Sequence, residues 1–461
     1  MERSALDIAK RLPKDFIFGT STSAWQIEGD SAGRGPSIWD DFANIPGKIV
    51  DGTKADPACD HIHRWREDID LLSWLGVDAY RFSISWPRIL PEGTGKLSES
   101  GLAFYDQLID ELLTRGIKPA ATIFHWDLPS ALQTKGGWLW DGIADTFADY
   151  TQVVAAKFAD RVDSWATHNE PWCTAFLGHS AGIFPPGIKD GAKAMKAAYN
   201  LMLSHARAMD VLRSNNAKNA GIVLNLTTVI AEDPEVQDAA HHIDDLQNRM
   251  WLDPLAGRGY PQDLIDNTMD YVDWSFIKDS ELDEMAQPID WLGVNYYTPI
   301  RVAKTTRSDD DQIIAQSLIS YPFTLPVKFV PRTPRTEMGW EIDASSLTTT
   351  LVRISQALPG VPLHITENGG AFPDNKFDGD KVIDNDRIDY YYNHISAALD
   401  AEEQGVNLCG YYAWSLLDNI EWAEGLTKRF GIISVDFKTQ KRTPKASAHF
   451  IREIMEARTK S

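Results

Sequence analysis

The stretch Tyr105-Asp106-Gln107-Leu108-Ile109-Asp110-Glu111-Leu112-Leu113-Thr114-Arg115-Gly116 lies between two short apolar runs, Ala79-Tyr80-Arg81-Phe82-Ser83-Ile84 and Ala120-Ala121-Thr122-Ile123-Phe124. Leu108, Ile109, Leu112 and Leu113 recur at three- and four-residue spacing and give a helix one apolar face, and Gly116 suits its C-terminal cap. The flanking runs are too short for helices and read as buried strands. Strand, amphipathic helix and strand in that order are the unit of a parallel sheet.

Working outward, the unit repeats. The segment 63–76, HRWREDIDLLSWLG, is a second amphipathic helix, set after a strand candidate at Phe16 to Ser21. Further strand candidates are Ser164 to Thr167, Gly221 to Leu226, Trp291 to Val294, Leu363 to Thr366 and Gly410 to Trp414. Eight strands alternating with helices predict an α/β fold, a single (β/α)8 TIM barrel with long βα loops. One connection, from Thr298 to Asp343, is far longer than the rest and rich in Pro, Arg, Thr and Asp. Connections of that length are usually functional or irregular, and its end, Met338-Gly339-Trp340, suggests an apolar landing.

Composition narrows the class. The 461 residues are 43% hydrophobic and 24% charged, with no linker-like stretch, so one domain spanning 1–461 is expected. A formal charge of −21 disfavours nucleic acid and anionic membranes as partners. Three cysteines argue against a disulfide framework. The N-terminal stretch lacks the apolar core of a secretory signal, and no run reaches the length of a membrane helix, so a cytoplasmic protein is expected. Homo-oligomer formation is left open.

A parallel barrel puts its chemistry at the C-terminal strand ends. Those ends deliver Gln26-Ile27-Glu28-Gly29, His125-Trp126, Asn169-Glu170-Pro171-Trp172, Asn295-Tyr296-Tyr297, Glu367-Asn368-Gly369, and Trp414-Ser415 followed by Asp418-Asn419-Ile420-Glu421-Trp422. Glu170 and Glu367 close two strands that face each other across the barrel. Two carboxylates whose pKa values are pushed apart can protonate a glycosidic oxygen and attack the anomeric carbon. Arg81, buried by its neighbours, needs an anion; it and Tyr297 are expected to lower the pKa of Glu367, the nucleophile. Glu170, beside Pro171 and Trp172, is expected to be raised by desolvation and to serve as acid/base. Asn169 then stands to hold the sugar 2-hydroxyl. Sixteen tryptophans, many beside polar residues, suit the apolar faces of pyranose rings.

Gln-Ile-Glu-Gly at 26–29, Asn-Glu-Pro at 169–171, Ile-Thr-Glu-Asn-Gly at 365–369 and Trp-Ser-Leu-Leu-Asp-Asn-Ile-Glu-Trp at 414–422 together resemble glycoside hydrolase family 1. Residues 80–88 and 428–431 extend the likeness, which runs from about Phe16 to Phe450. The resemblance implies a retaining β-glycosidase, most simply a β-glucosidase, with no cofactor and no metal, acting on small β-glycosides or cello-oligosaccharides. It implies that Gln26, His125, Trp126, Asn169, Tyr297, Glu421 and Trp422 bind the glycone, with Trp414 as floor and Phe430 at the side. Trp172, Leu177 and Trp340 are implied in the leaving-group subsite, and Arg81 and Asn295 as supports. A cis Trp414–Ser415 peptide is also implied.

Related readings fit less well. In six-phospho-glycosidases small and basic residues replace the late Glu-Trp pair; here a Glu421 carboxylate is expected to repel phosphate. A myrosinase-like member would carry Gln in place of Glu170, and a non-catalytic relative would lack one glutamate. β-Galactosidase, β-fucosidase and transglycosylating activities stay open. His61-x-His63 and His241-His242 show no partner Asp, Glu or Cys at convincing metal-ligand spacing. One departure from the family pattern, Phe184-Pro185 where His-Ala is usual, affects the aglycone entrance.

Overall fold

The computed structural model describes residues 4–305 and 319–459. Eight parallel strands close into a barrel: β1 (Ile17–Ser21), β2 (Ala79–Ser83), β3 (Lys118–Phe124), β4 (Ser164–Asn169), β5 (Ala220–Asn225), β6 (Trp291–Asn295), β7 (Leu363–Asn368) and β8 (Leu408–Trp414). Each pairs with its sequence neighbours, and β8 closes on β1, where Ser21 lies opposite Trp414. All eight expected strands are present, with ends shifted by one or two residues. Helices cover the outside: α1 (His61–Leu75), α2 (Glu99–Thr114), α3 (Ile143–Phe158), α4 (Gly191–Ser214), α5 (Gln237–Asp244), α6 (Gln262–Thr268), α7 (Ala344–Ala357), α8 (Asn385–Glu403) and α9 (Ala446–Arg458).

The helix α2 shows how pattern becomes packing. Ser98 caps it by accepting a hydrogen bond from the Gly101 amide. Phe104, Tyr105, Leu108, Ile109 and Leu112 are buried against the barrel. Leu113, expected on the same face, is 43% exposed. At 100° per residue Phe104, Tyr105, Leu108, Ile109 and Leu112 fall within one continuous arc and Leu113 lies beyond its edge, which is why it is exposed. Gly116 adopts φ +72°, the left-handed conformation that a helix stop needs.

Two features were not anticipated. The connection beginning at Thr298 is not wholly irregular: Ile300–Lys304 pairs with Val327–Phe329 and with Val229–Ala231 in a small sheet beside the barrel mouth. Residues 306–318 of that connection lie outside the described residues. Secondly, the helical segment after Glu170, Cys173–Ala181, and the segment Asp245–Arg249 are wound as wide π-type turns. Such widening recurs where a helix must aim side chains into a site. The Trp414–Ser415 peptide is cis.

Register then places the chemistry. Glu367 on β7 pairs with Asn295 on β6, and Asn295 pairs in turn with Asn225 on β5. Gly369, two residues past Glu367, passes so close to β8 that a Cβ there would lie 1.8 Å from the Trp414 carbonyl oxygen. Only glycine fits that crossing.

Candidate active site

A cavity of about 560 Å³ opens at the C-terminal end of the barrel. Glu170 and Glu367 both line it, with Trp126, Trp172, Trp340, Trp414 and Trp422 as its aromatic walls. His125, Asn295, Tyr297, Leu177, Glu421 and Phe430 complete the expected set found in the lining. Gln26, Arg81 and Asn169 form the layer behind it. Phe184 also lines the cavity, packed on Trp39 and Trp126; Pro185 is not part of the lining. Trp126, Glu170 and Trp422 have φ of +78°, +45° and +46°. Backbone strain of this kind, uncommon outside glycine, collects at functional sites.

The two glutamates have contrasting partners. Arg81 donates from one guanidinium nitrogen to Glu367 Oε1 at 2.7 Å and from the other to Asn169 Oδ1 at 2.7 Å. Tyr297 donates its hydroxyl to Glu367 Oε2 at 2.7 Å. Glu170 instead receives an amide N–H from Asn295 at 2.7 Å and the thiol of Cys173 at 3.1 Å. Burial raises the pKa of Glu170 to about 7, and the Glu367 charge adds to the rise.

Glu367 departs from expectation. Its pKa is raised, because complete burial outweighs the guanidinium of Arg81 and the hydrogen bonds from Tyr297 and Asn295. The sequence showed the cation but not the depth of the carboxylate. The order of ionisation still follows from the partners: Glu367 faces a full positive charge and Glu170 an amide and a thiol, so Glu367 ionises first.

Behind the wall, Asn169 Nδ2 donates to His125 Nε2 at 3.0 Å. That leaves the proton of neutral His125 on Nδ1, which has no protein partner among the described residues. Burial and Arg81 hold this imidazole neutral. Gln26 is fixed by Ser23, which donates to its Oε1 at 2.5 Å, and by its own donation to the Ile420 carbonyl at 2.6 Å. Glu421 Oε2 is buried without a partner among the described residues. Its pKa is pushed up to about 8 by burial and by the other two glutamates, so the free site holds it mainly as the acid. The expected phosphate repulsion by a Glu421 carboxylate is weakened accordingly; burial, which motif reading does not weigh, is the reason.

Three contributors escaped the sequence reading. Cys173 follows Glu170 by three residues, the spacing of one helical turn, and that spacing was available as a signal. Gln247 and Tyr321 line the cavity and are joined at 2.7 Å, with Gln247 donating to the Asn225 carbonyl. They come from two excursions far apart in sequence, and nothing local marked them.

Two buried glutamates with contrasting partners at a tryptophan-lined barrel mouth suit glycoside cleavage. Residues 8–460 match the model of Glycosyl hydrolase family 1, and the chain belongs to that family. It is 42% identical to Beta-glucosidase A of Thermotoga maritima over 97% of this chain and 98% of that one. It is 42% identical to the bifunctional beta-D-glucosidase/beta-D-fucosidase of Bifidobacterium breve, over 96% and 98% of the two chains. The structure of the Thermotoga maritima beta-glucosidase in complex with noeuromycin superposes with a TM-score of 0.90 at 41% identity, covering 97% of this chain and 99% of that one.

Proposed function

We propose that this chain is a retaining β-glucosidase in which Glu170 is the acid/base and Glu367 the nucleophile. The observation that carries the reading is the asymmetry between the two carboxylates. Arg81 and Tyr297 favour the anion of Glu367, while Glu170, raised to about 7, keeps a large share of its acid form at neutral pH, about half. In the first step Glu367 attacks the anomeric carbon as Glu170 gives its proton to the departing oxygen. In the second, Glu170 takes a proton from water as that water displaces Glu367.

Trp414 serves as floor for the glycone, with His125, Trp126, Gln26, Asn169, Glu421 and Trp422 around its hydroxyls and Phe430 at its side. Trp172, Leu177 and Trp340 border the leaving group, which suits aryl β-glycosides and short cello-oligosaccharides. The role in cellulose breakdown rests on that substrate class. The reading takes residues 1–461 as one domain. Three unpaired cysteines, two of them buried, suit a reducing cytoplasm. Among the described residues no helix is long and apolar enough to cross a membrane.

The test is stereochemical and covalent. The first product formed from an aryl β-glucoside should be the β-anomer by proton NMR. A 2-fluoro-glucoside with a good leaving group should add one fluoroglucosyl mass to the peptide holding Glu367. The carboxyl groups should lie about 5–5.5 Å apart in a crystal structure. An α-anomer, or a label on another residue, sinks the assignment.

A further inference from the structure

Outside the cleft, α5 runs straight into the wide turn Asp245–Arg249. His241 and Asp245 stand one turn apart on it, and Asp263 reaches across from α6. The ligand atoms of these three residues all lie within 4.8 Å of one another. His241 Nε2 is 2.5 Å from Asp263 Oδ2 and 3.8 Å from Asp245 Oδ2. The sequence reading found no carboxylate partner for His241-His242; the fold supplies two, one of them from a separate helix.

One cation already stands among them. Arg249 donates from a single nitrogen to Asp245 Oδ1 at 2.6 Å and Asp263 Oδ2 at 3.0 Å, and the same nitrogen lies 3.2 Å from His241 Nε2. That leaves Asp245 Oδ2 without a hydrogen bond among the described residues, although the side chain is 0% exposed. An unpartnered carboxylate oxygen at such depth is costly. Two carboxylates face one guanidinium and one imidazole, and with the imidazole neutral the cluster is short of positive charge; the orphan oxygen lies within 4.8 Å of the other two ligand atoms.

We propose that His241 Nε2, Asp245 Oδ2 and Asp263 Oδ2 form a site for a zinc-class divalent cation that enters by displacing the Arg249 guanidinium. One imidazole with two carboxylates is a donor set for zinc and its first-row neighbours, whereas calcium and magnesium prefer oxygen alone. Ligands about 2.0–2.2 Å from a tetrahedral ion stand roughly 3.4 Å apart, so His241 and Asp263 open by about 1 Å. The half-exposed His241 leaves the fourth position to water. Arg249 has somewhere to go: its side chain is 29% exposed, and its Nε is 3.5 Å from Asp253, which remains its counterion after displacement.

The experiment titrates zinc chloride into the tag-free full chain after treatment with a chelator, using calorimetry, with visible spectroscopy of the cobalt-loaded protein as a second readout. One site per chain is expected. His241→Ala and Asp263→Asn should each weaken it about tenfold or more, and Arg249→Ala should tighten it by a similar factor by removing the competing cation. Far-ultraviolet circular dichroism checks each fold; if Arg249→Ala does not fold, Arg249→Gln keeps a donor to Asp245 and is held to the same expectation. Absence of saturable zinc binding, binding that survives His241→Ala, or no tightening in the Arg249 variant overturns the proposal.

Discussion

The thiol of Cys173 donates to Oε2 of Glu170 across 3.1 Å, one helical turn after the acid itself. A donor of this kind stabilises the carboxylate and so opposes the rise caused by burial. In Cys173→Ala the pKa of Glu170 therefore rises, and its acid form persists to higher pH. The basic limb of the kcat/KM profile should move up by less than about one unit, the scale of one hydrogen bond. A limb that stays still or moves down would show that the contact has no bearing on the acid.

The basic limb itself tests Glu170. With a pKa of about 7, loss of its proton should bring kcat/KM down as pH passes through neutrality. In Glu170→Gln that limb should vanish for an aryl glucoside whose leaving group needs no protonation. An unchanged limb assigns it to another group.

Arg81 and Tyr297 should separate by magnitude. Arg81→Met removes the buried partner of Glu367 and leaves an uncompensated carboxylate, a loss of about 3–5 kcal/mol for such pairs; expressed in the barrier this is roughly 10²–10⁴-fold in kcat/KM. Tyr297→Phe removes one hydrogen bond to that carboxylate, worth about 1.5–3 kcal/mol when the acceptor is charged, and should cost roughly ten- to a hundredfold. Both raise the pKa of Glu367, which must be ionised to attack, so the acidic limb moves to higher pH. Equal losses in the two variants, or an acidic limb that does not move, argue against the assigned division of work.

How far the sequence reached is clear from particular residues. The barrel strands were legible because parallel strands buried on both faces read as short apolar runs, and the helices because one face repeats. Glu170, Glu367, Trp126, Trp172 and Trp414 were legible because they sit at or just past the C-terminal ends of those strands. The small sheet at Ile300–Lys304 was not, since its strands are three to five residues long and its partner Val229–Ala231 lies on another loop. The raised pKa of Glu367 and the protonated Glu421 were hidden for a different reason: burial is a property of the packed cavity, and no spacing encodes it.

Asp418, quoted within the late motif, turns out to hold structure together. Its Oδ1 receives the Lys445 ammonium at 2.7 Å and the Gly431 amide at 3.0 Å, and Lys445 is 0% exposed. Asp418→Ala strands a buried cation that then shares Asp374 with Arg387. We expect a loss of about 3–5 kcal/mol in unfolding free energy by urea titration. Wild-type stability with lost activity would move Asp418 from the scaffold to the chemistry.

Trp172 and Leu177, the proposed border of the leaving group, line the cavity, with Trp172 packed on Phe176 and Tyr321. Phe184 adds a further apolar wall, and Ile183, 53% exposed, stands at the rim. A free monosaccharide entering through this collar sheds hydration from its hydroxyls and finds few polar partners in return, whereas a two-sugar substrate is anchored beyond it. Glucose should therefore inhibit weakly. Trp172→Ala and Leu177→Ala each widen the collar and admit water beside the sugar, so each should strengthen inhibition by glucose several-fold. The measurement is the inhibition constant for glucose in the parent and both variants, with one aryl glucoside throughout and KM for that glucoside recorded alongside. The parallel KM matters, because a variant that merely loosened the barrel rim would weaken substrate and product alike. Tight inhibition in the parent, or inhibition constants that follow KM in the variants, would reduce both residues to packing.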